Sequence, residues 1–358
     1  MKKYLLFLMI MVVGACTTPN TAPPGISSIM EAEEAQRQFA YTLDRRRAEA
    51  LRLQEVGNQV LAANAEFCPR TRQLFGFRTH TRHDYGRKIR TAAETHYHIN
   101  EEPKVYFVVA GSAADLAGLQ QGDTLISIDN KPALTGKRAT KKITTHLKSL
   151  AKSTKNRPIR LEIMRNEEQL FINVTPQITC GYPLSLADSD SINAYADGKG
   201  IFITRGMMRF VESDEELALV IAHELAHNTK GHVEAKMRNA IVGGIGGLAV
   251  DILLAAGGVN TGGAFTDAGM DIGQAAYSES FEAEADYVGT YFLSRTKIDT
   301  ANIEHFWRRM AAENPRSITA AITHPTSASR FLRIRAAIKE IETKRSEGKK
   351  LVPNLVEE

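Results

Sequence analysis

The chain has 358 residues, of which 43% are hydrophobic and 24% charged. That balance belongs to an ordinary globular protein and excludes a disordered polymer or a membrane-embedded bundle; the length calls for two folded units with tails. The formal charge of +4 includes Lys2 and Lys3, and the other cations are interspersed with acids, so the dense basic footprint of a nucleic-acid binder is missing and no nucleic-acid partner is expected.

The first sixteen residues read MKKYLLFLMIMVVGAC. A two-lysine start, an apolar run from Tyr4 to Val13 and small residues Gly14 and Ala15 make residues 1–15 a secretory signal. It is too short to cross a bilayer as a helix, which takes about 20 apolar residues. Val13-Gly14-Ala15-Cys16 resembles the lipobox of bacterial lipoprotein signals, which implies that Cys16 is lipidated and begins the mature chain. Ordinary cleavage with Cys16 incidental is the alternative. In such lipoproteins Thr17, where an aspartate would favour the inner membrane, implies an outer-membrane anchor facing the periplasm. Residues 16–28, rich in Thr, Pro and Ser, read as a flexible tether. With Cys16 set aside, Cys68 and Cys180 form an even pair in a compartment where disulfides persist, and a bond between them is expected; two buried thiols are the alternative.

Residues 29–66 carry no proline and one glycine. Apolar or small residues recur at Phe39, Leu43, Ala50, Leu53, Gly57 and Val60, spacings that predict a long amphipathic helix with a narrow packing seam.

Between the two cysteines, over residues 67–180, the periodicity shortens. LFGFRTH, KVYFVVAG, PIRLEIMR and QLFINVT read as strands broken by Gly, Asp and Asn turns, with helices near Ala113 to Ala117 and Arg138 to Ala151. The stretch GSAADLAGLQQGDTLISIDNKP resembles the centre of a bacterial PDZ domain of the kind attached to envelope proteases. Leu74, Phe75, Gly76 and Phe77 then fall where such domains receive a peptide's terminal carboxylate, held by backbone N–H groups while the peptide adds as a strand to the sheet edge. A spacer or a shield over the active site is the other reading.

A second unit, residues 181–345, precedes a polar tail at 346–358. INAYADGKGIFITRG reads as a hairpin turning at Asp197-Gly198 or Lys199-Gly200, with Ile201 to Thr204 returning beside the next helix, as structural hairpin or as edge for an extended substrate. SDEELALVIAHELAHNTKGH opens on Ser213 with Glu216 three residues on, a capping-box pattern, and becomes an apolar helix. His223 and His227 are one turn apart on one face, so both imidazoles can reach one ion, with Glu224 beside them; two hydrogen-bonded core histidines are the alternative. Zinc in a hydrolytic site takes three protein ligands and leaves a fourth position for water. His232 invites consideration, but the metzincin spacing would put a histidine six residues after His227. In SESFEAEADYVGTYF, Glu282 and Asp286 share a helical face whereas Glu284 points nearly opposite. Glu282 is therefore the expected third ligand, and Asp286 the residue that holds a ligand histidine from behind.

These residues, with the hairpin and THPTSASR (His324, Pro325, Arg330), resemble metallopeptidase family 48, the family of HtpX-, BepA- and CAAX prenyl protease-like zinc metalloproteases. The resemblance implies His223, His227 and Glu282 as ligands of one Zn2+ per chain, and Glu224 as catalytic base. It places His324 and Arg330 near the active site, for transition-state support or as a gate. Residues 240–277, rich in glycine, read as a helical pair over the core, a lid or a lipid-touching element. The expected fold is α+β: a mainly helical, gluzincin-like metalloprotease domain, a small β-rich PDZ-like domain and a long N-terminal helix. The implied function is a lipid-anchored zinc endopeptidase acting on protein or peptide substrates in the bacterial envelope, in protein quality control. The alternative is a non-proteolytic periplasmic chaperone or assembly factor that uses PDZ-type peptide binding.

Overall fold

The computed structural model describes residues 21, 23–153, 157–242, 245, 278–299, 303–313 and 328–355. The signal sequence, Cys16 and the start of the tether (residues 16–20 and 22), the bulk of 240–277, and His324 lie outside the described residues. No described helix is long and apolar enough to cross a membrane.

The N-terminal helix α1 spans Ser28–Ala63, with Ser27 as N-cap accepting from the Met30 N–H. Its predicted seam is what it buries: Leu43, Leu53, Gly57 and Val60 are buried, with Val56 and Leu61 beside them. The first turns leave Ile29, Met30 and Tyr41 exposed. At Gly57 a Cβ would fall 1.8 Å from Leu184 Cδ1, so a larger residue there would force the Leu184 side chain to move. α1 touches both folded units: Glu55 accepts from the Ala110 N–H on one side, and Arg52 pairs with Asp214 on the other.

The first unit is built on a six-stranded sheet in the order β2 (Phe77–His80), β3 (Lys104–Val108), β4 (Thr124–Ile128), β6 (Ile159–Arg165), β7 (Glu168–Val174), with β5 (Lys131–Pro132) paired to β4. Alternation puts Leu161 and Ile163 of β6 inward with Val105, Leu125, Ile128 and Val174, and helix α4 (Ala139–Ser153) closes this core with Ile143. The short α3 (Ala113–Leu116) is capped by Ser112. Between β2 and β3 lies α2 (Arg87–Tyr97), which the strand-like reading of this region did not anticipate. It buries Ala92 and Ala93 against Leu43 and Ile99, a small-residue face that gives a weak periodic signal.

β1 (Thr71–Leu74) does not join that sheet; it pairs antiparallel with β8 (Gln177–Cys180), Thr71 opposite Cys180. The two strands form a neck where the chain enters and leaves the first unit. Cys68 and Cys180 are bonded there, with Cα atoms 5.5 Å apart and a separation of 112 residues.

The second unit holds a three-stranded sheet in the order β10 (Ala194–Ala196), β11 (Ile201–Thr204), β9 (Leu184–Ala187), β11 antiparallel to β10 and parallel to β9. The returning strand of the hairpin is thus interior, and the edges are β9 and β10. The two turn positions expected as alternatives merge into one connection: Asp197 Oδ1 accepts from the N–H groups of Lys199 and Gly200, with Gly198 at φ +78° between them. Helices α5 (Arg205–Phe210), α6 (Asp214–Thr229), α7 (Ser278–Ser294), α8 (Ile303–Glu313) and α9 (Ala328–Ser346) complete the unit. Leu217, Ile221, Leu225, Val288, Phe306 and Ile334 pack into one core with Leu53, Val56 and Val60 of α1.

Candidate metal centre

α6 begins where its sequence says it should. Ser213 accepts from the Glu216 N–H at 3.3 Å, and the Glu216 carboxylate reaches back to the N–H of Glu212, one residue before the cap. From Glu216 to Asn228 every side chain of the helix is buried. Burial of two imidazoles and a carboxylate in such a helix carries a desolvation cost that needs partners, and α7 supplies them. Gly289 makes this possible: a Cβ there would lie 3.1 Å from the backbone N and Cα of His223, so α7 runs against the α6 backbone at that point.

Three donor atoms converge. His223 Nε2 and His227 Nε2 are 3.1 Å apart, and Glu282 places Oε2 3.4 Å from the first and Oε1 3.3 Å from the second. Ligands about 2.0–2.2 Å from a tetrahedral zinc stand about 3.3–3.6 Å from one another, so the spacing and the N,N,O donor chemistry fit a single divalent cation. Among the described residues this is the group of His, Cys, Asp and Glu side chains that can hold a metal. Glu224 is buried beside His223, near enough for its charge to act on His227.

Behind each imidazole stands a second partner. His223 Nδ1 lies 3.0 Å from Asp286 Oδ1, and Arg330 Nη2 donates to the same oxygen at 2.6 Å while its guanidinium stacks 3.5 Å over Trp307. An Nδ1–H given to Asp286 leaves the Nε2 lone pair facing the donor cluster. On the other imidazole, His227 Nδ1 is 2.9 Å from His232 Nδ1, and His232 Nε2 is 3.0 Å from Glu284 Oε2, itself 3.3 Å on its other oxygen from Lys230 Nζ. With the His232 proton on Nε2 toward Glu284, its Nδ1 accepts from His227, and His227 Nε2 too is left with a lone pair inward.

The electrostatics follow these contacts. Burial alone would depress His223, yet its bonds to Asp286 and Glu282 outweigh that and raise it to about 9. His227, where burial prevails over its bond to Glu282, is pushed down to about 4. Burial works against the Asp286 anion, but Arg330 and His223 hold its carboxyl below the ordinary range; the bond from His232 holds Glu284 low as well.

His223, Glu224, His227, Glu282, Asp286 and Arg330 thus come together within one buried cluster. Arg330 stands on the outer side of His223, bound to Asp286, and its side chain is 3% exposed. Sequence reasoning missed His232 and Glu284. Glu284 was expected to face away, and it does leave the donor face of α7. The chain turns at Gly231, φ +69°, and brings His232 round to meet it. The signal available is a histidine five residues after His227, which does not match the metzincin ligand spacing.

The predicted carboxylate loop lies in the other unit. The carbonyls of Phe75 and Gly76 point into the domain, accepting from the N–H groups of Ala114 and Val109 at 2.8 Å each. Because a trans peptide sets each C=O opposite the following N–H, the N–H groups of Gly76 and Phe77 turn outward. Gly76 is at φ +85°, and Ser112 fills the space a Cβ would need.

A family model described as peptidase family M48 matches residues 174–338. The chain carries an M48 peptidase domain. A PDZ domain model matches residues 104–165. Among similar proteins, a beta-barrel assembly-enhancing protease of Escherichia coli O157:H7 is 27% identical over 187 residues, 49% of this chain and 38% of the relative. The mitochondrial metalloendopeptidase OMA1 of Schizosaccharomyces pombe is 28% identical over 152 residues, 41% of this chain and 44% of the relative. A putative beta-barrel assembly-enhancing protease of Vibrio cholerae is 30% identical over 165 residues, 44% and 34% of the two chains. The matched part spans less than half the length of each of these relatives. M48 peptidases are metal-dependent, and the M48 match encloses all three donors of the cluster.

Proposed function

We propose that this protein is a zinc-dependent endopeptidase of the bacterial cell envelope that cleaves protein or peptide substrates, in protein quality control. The observation that carries the reading is the convergence of two imidazoles from α6 and one carboxylate from α7, with donor atoms 3.1–3.4 Å apart. His223, His227 and Glu282 would hold one Zn2+. When bound, the ion supplies Lewis-acid polarisation of a peptide carbonyl and lowers the pKa of water toward about 7. The chain's own residues do the rest. Glu224 takes the proton of the attacking water and returns it to the departing amine nitrogen. Asp286 holds the Nδ1–H of His223, and Arg330 holds Asp286, so the arginine positions a ligand instead of touching substrate. A role for His324 near the site rests on the family resemblance.

The compartment belongs to the same proposal: a signal over residues 1–15, lipidation at Cys16, and an outer-membrane anchor facing the periplasm. The bonded Cys68–Cys180 pair supports an oxidising location, and two of the relatives above are named for β-barrel assembly. The neck formed by β1 and β8 supports a division into a PDZ-like unit at 67–180 and a metalloprotease unit at 181–345.

The test is Glu224→Gln. The variant should retain stoichiometric zinc and lose hydrolysis of an unfolded protein by about 10^2–10^4-fold; undiminished hydrolysis would remove Glu224 as the base. The burial of all three donors, together with a PDZ edge strand paired on one side only among the described residues, favours one rival, a non-proteolytic chaperone or assembly factor. Rescue of a deletion strain by Glu224→Gln would decide for it.

A further inference from the structure

Edge strand β2 pairs with β3 on one side only among the described residues, and its other side opens on a cavity of about 590 Å3. The far wall is not part of the PDZ-like unit. It is edge strand β9 of the metalloprotease unit, through Leu184, Ser185 and Leu186, and the floor is α1, through Ala50, Leu53 and Gln54. The outward edge of β9 is partly used, since Gln54 donates to the Leu184 carbonyl at 3.2 Å. β2 is therefore the edge left for a strand, with the outward N–H groups of Gly76 and Phe77 at its head.

Charge says what kind of strand. Four arginines from four elements line the space: Arg46 of α1, Arg72 of β1, Arg78 of β2 and Arg205 of α5. Arg205 is committed to Glu49 and Asp188. Arg46, Arg72 and Arg78 have no carboxylate partner among the described residues, and the Nε of Arg72 is buried without an acceptor. Burial alone pulls Arg72 down to about 10, still charged at neutral pH. Asp84 also lines the cavity, but its Oδ2 is saturated by the Thr81 N–H, the Thr81 hydroxyl and the Thr140 hydroxyl. A guanidinium kept half-buried without a counter-ion costs desolvation free energy that a bound carboxylate would recover.

We propose that this composite cavity binds the C-terminal segment of an acidic protein, added as a strand to β2, with carboxylate side chains upstream of its C-terminus meeting Arg46, Arg72 and Arg78. The proposal rests on reading β2 as a peptide-docking edge and adds to it a charge preference and a second wall. Because the floor and far wall come from α1 and β9, the bound segment touches the metalloprotease unit as well as the PDZ-like one.

The experiment uses the full chain carrying Glu224→Gln, so that peptides are bound and not cut. Fluorescence anisotropy follows labelled decapeptides with a free C-terminus, identical except that Asp/Glu positions are replaced by Asn/Gln or by Lys. The acidic peptide should bind about tenfold or more tightly than the lysine peptide at moderate ionic strength, and the gap should shrink with added salt. Arg46→Glu with Arg78→Glu, both exposed positions, should erase or reverse the preference, read as the ratio of acidic-peptide to lysine-peptide affinity within each protein. Equal affinity for acidic and lysine peptides, or an unchanged preference in the double variant, overturns the proposal, as does no binding of any peptide. None of these outcomes bears on zinc content or on hydrolysis by the parent chain, so the endopeptidase reading stands or falls separately.

Discussion

The metal centre buries its charged groups against one another, whereas the cavity beside β2 holds Arg72 half-buried and Arg46 and Arg78 exposed, so the two regions treat charge in opposite ways. Around His223, the side chains of Asp286, Arg330, Glu282, His227, His232 and Glu284 form one chain of contacts at 2.6–3.4 Å. In the cavity, three guanidiniums stand without carboxylate partners among the described residues. One buried histidine from each region repeats the contrast, although His227 of the metal centre is also pushed down by burial, to about 4. His223, bonded to carboxylates, is raised to about 9; His80, whose Nδ1 meets the Tyr85 hydroxyl at 2.7 Å, is driven down to about 4 by its burial. A connected cluster is preorganised to hold one ion in one geometry, whereas cations without counter-ions are a reservoir of binding free energy for a ligand that brings the opposite charge.

The neck between the two regions gives the largest test of their independence. Replacing Cys68 and Cys180 by serine frees a loop of 112 residues, a change worth about 2–5 kcal/mol in typical cases. The denaturation midpoint should fall accordingly. Arg72 and Leu74 sit on β1 at that neck, while the proposed zinc ligands sit on helices beyond it. Zinc content should therefore stay stoichiometric while affinity for acidic peptide drops. Loss of zinc together with peptide affinity would mean that the two regions are one cooperative unit.

Much of the metal centre was legible in the sequence, because helical spacing is short-range information: His223 and His227 one turn apart, and Glu282 with Asp286 on one face, needed only a period of 3.6. The partners contributed by chain reversal were not legible. His232 meets His227 and Glu284 because Gly231 takes a left-handed conformation, and Arg330 meets Asp286 across 44 residues; neither fact is written in any local period. The same limit applies to the fold. Alternation and turn residues marked the strands, and α3 and α4 fell close to where they were expected. The hairpin's returning strand proved to be interior because β9, read as no strand at all, pairs parallel to it. The cavity was the least visible feature, since its walls come from α1, the neck, β2 and β9, which only the tertiary fold brings together.

His80 offers a test on the docking side alone. Its folded-state value near 4 lies below the ordinary 6.5, so as pH falls the unfolded chain takes up the proton first. Stability is fully present above about pH 6.5 and is lost as pH falls toward about 4, by about 3 kcal/mol in all. His80→Phe keeps an aromatic ring against Tyr97 and Tyr106 and removes the titrating group. Denaturant unfolding of parent and variant at pH 7 and pH 4.5 should show the gap between them shifting in favour of the variant at the lower pH. A gap that is the same at both values would show that His80 accepts its proton in the folded state.

The smallest effect expected is on the metal side, at His232. If it orients His227 by accepting the Nδ1–H at 2.9 Å while donating to Glu284, then phenylalanine, which fills the volume and keeps the stack on Phe281, should weaken zinc binding by about 10–100-fold. Glutamine has a carbonyl for His227 and an amide N–H for Glu284, and should recover most of that loss. Competition against a chromogenic chelator reads both affinities without any assay of hydrolysis. Structural packing alone predicts the reverse order, with phenylalanine the milder change. Glutamine no better than phenylalanine would therefore reduce His232 to a core residue and leave the orientation of His227 to Glu282 and the helix itself.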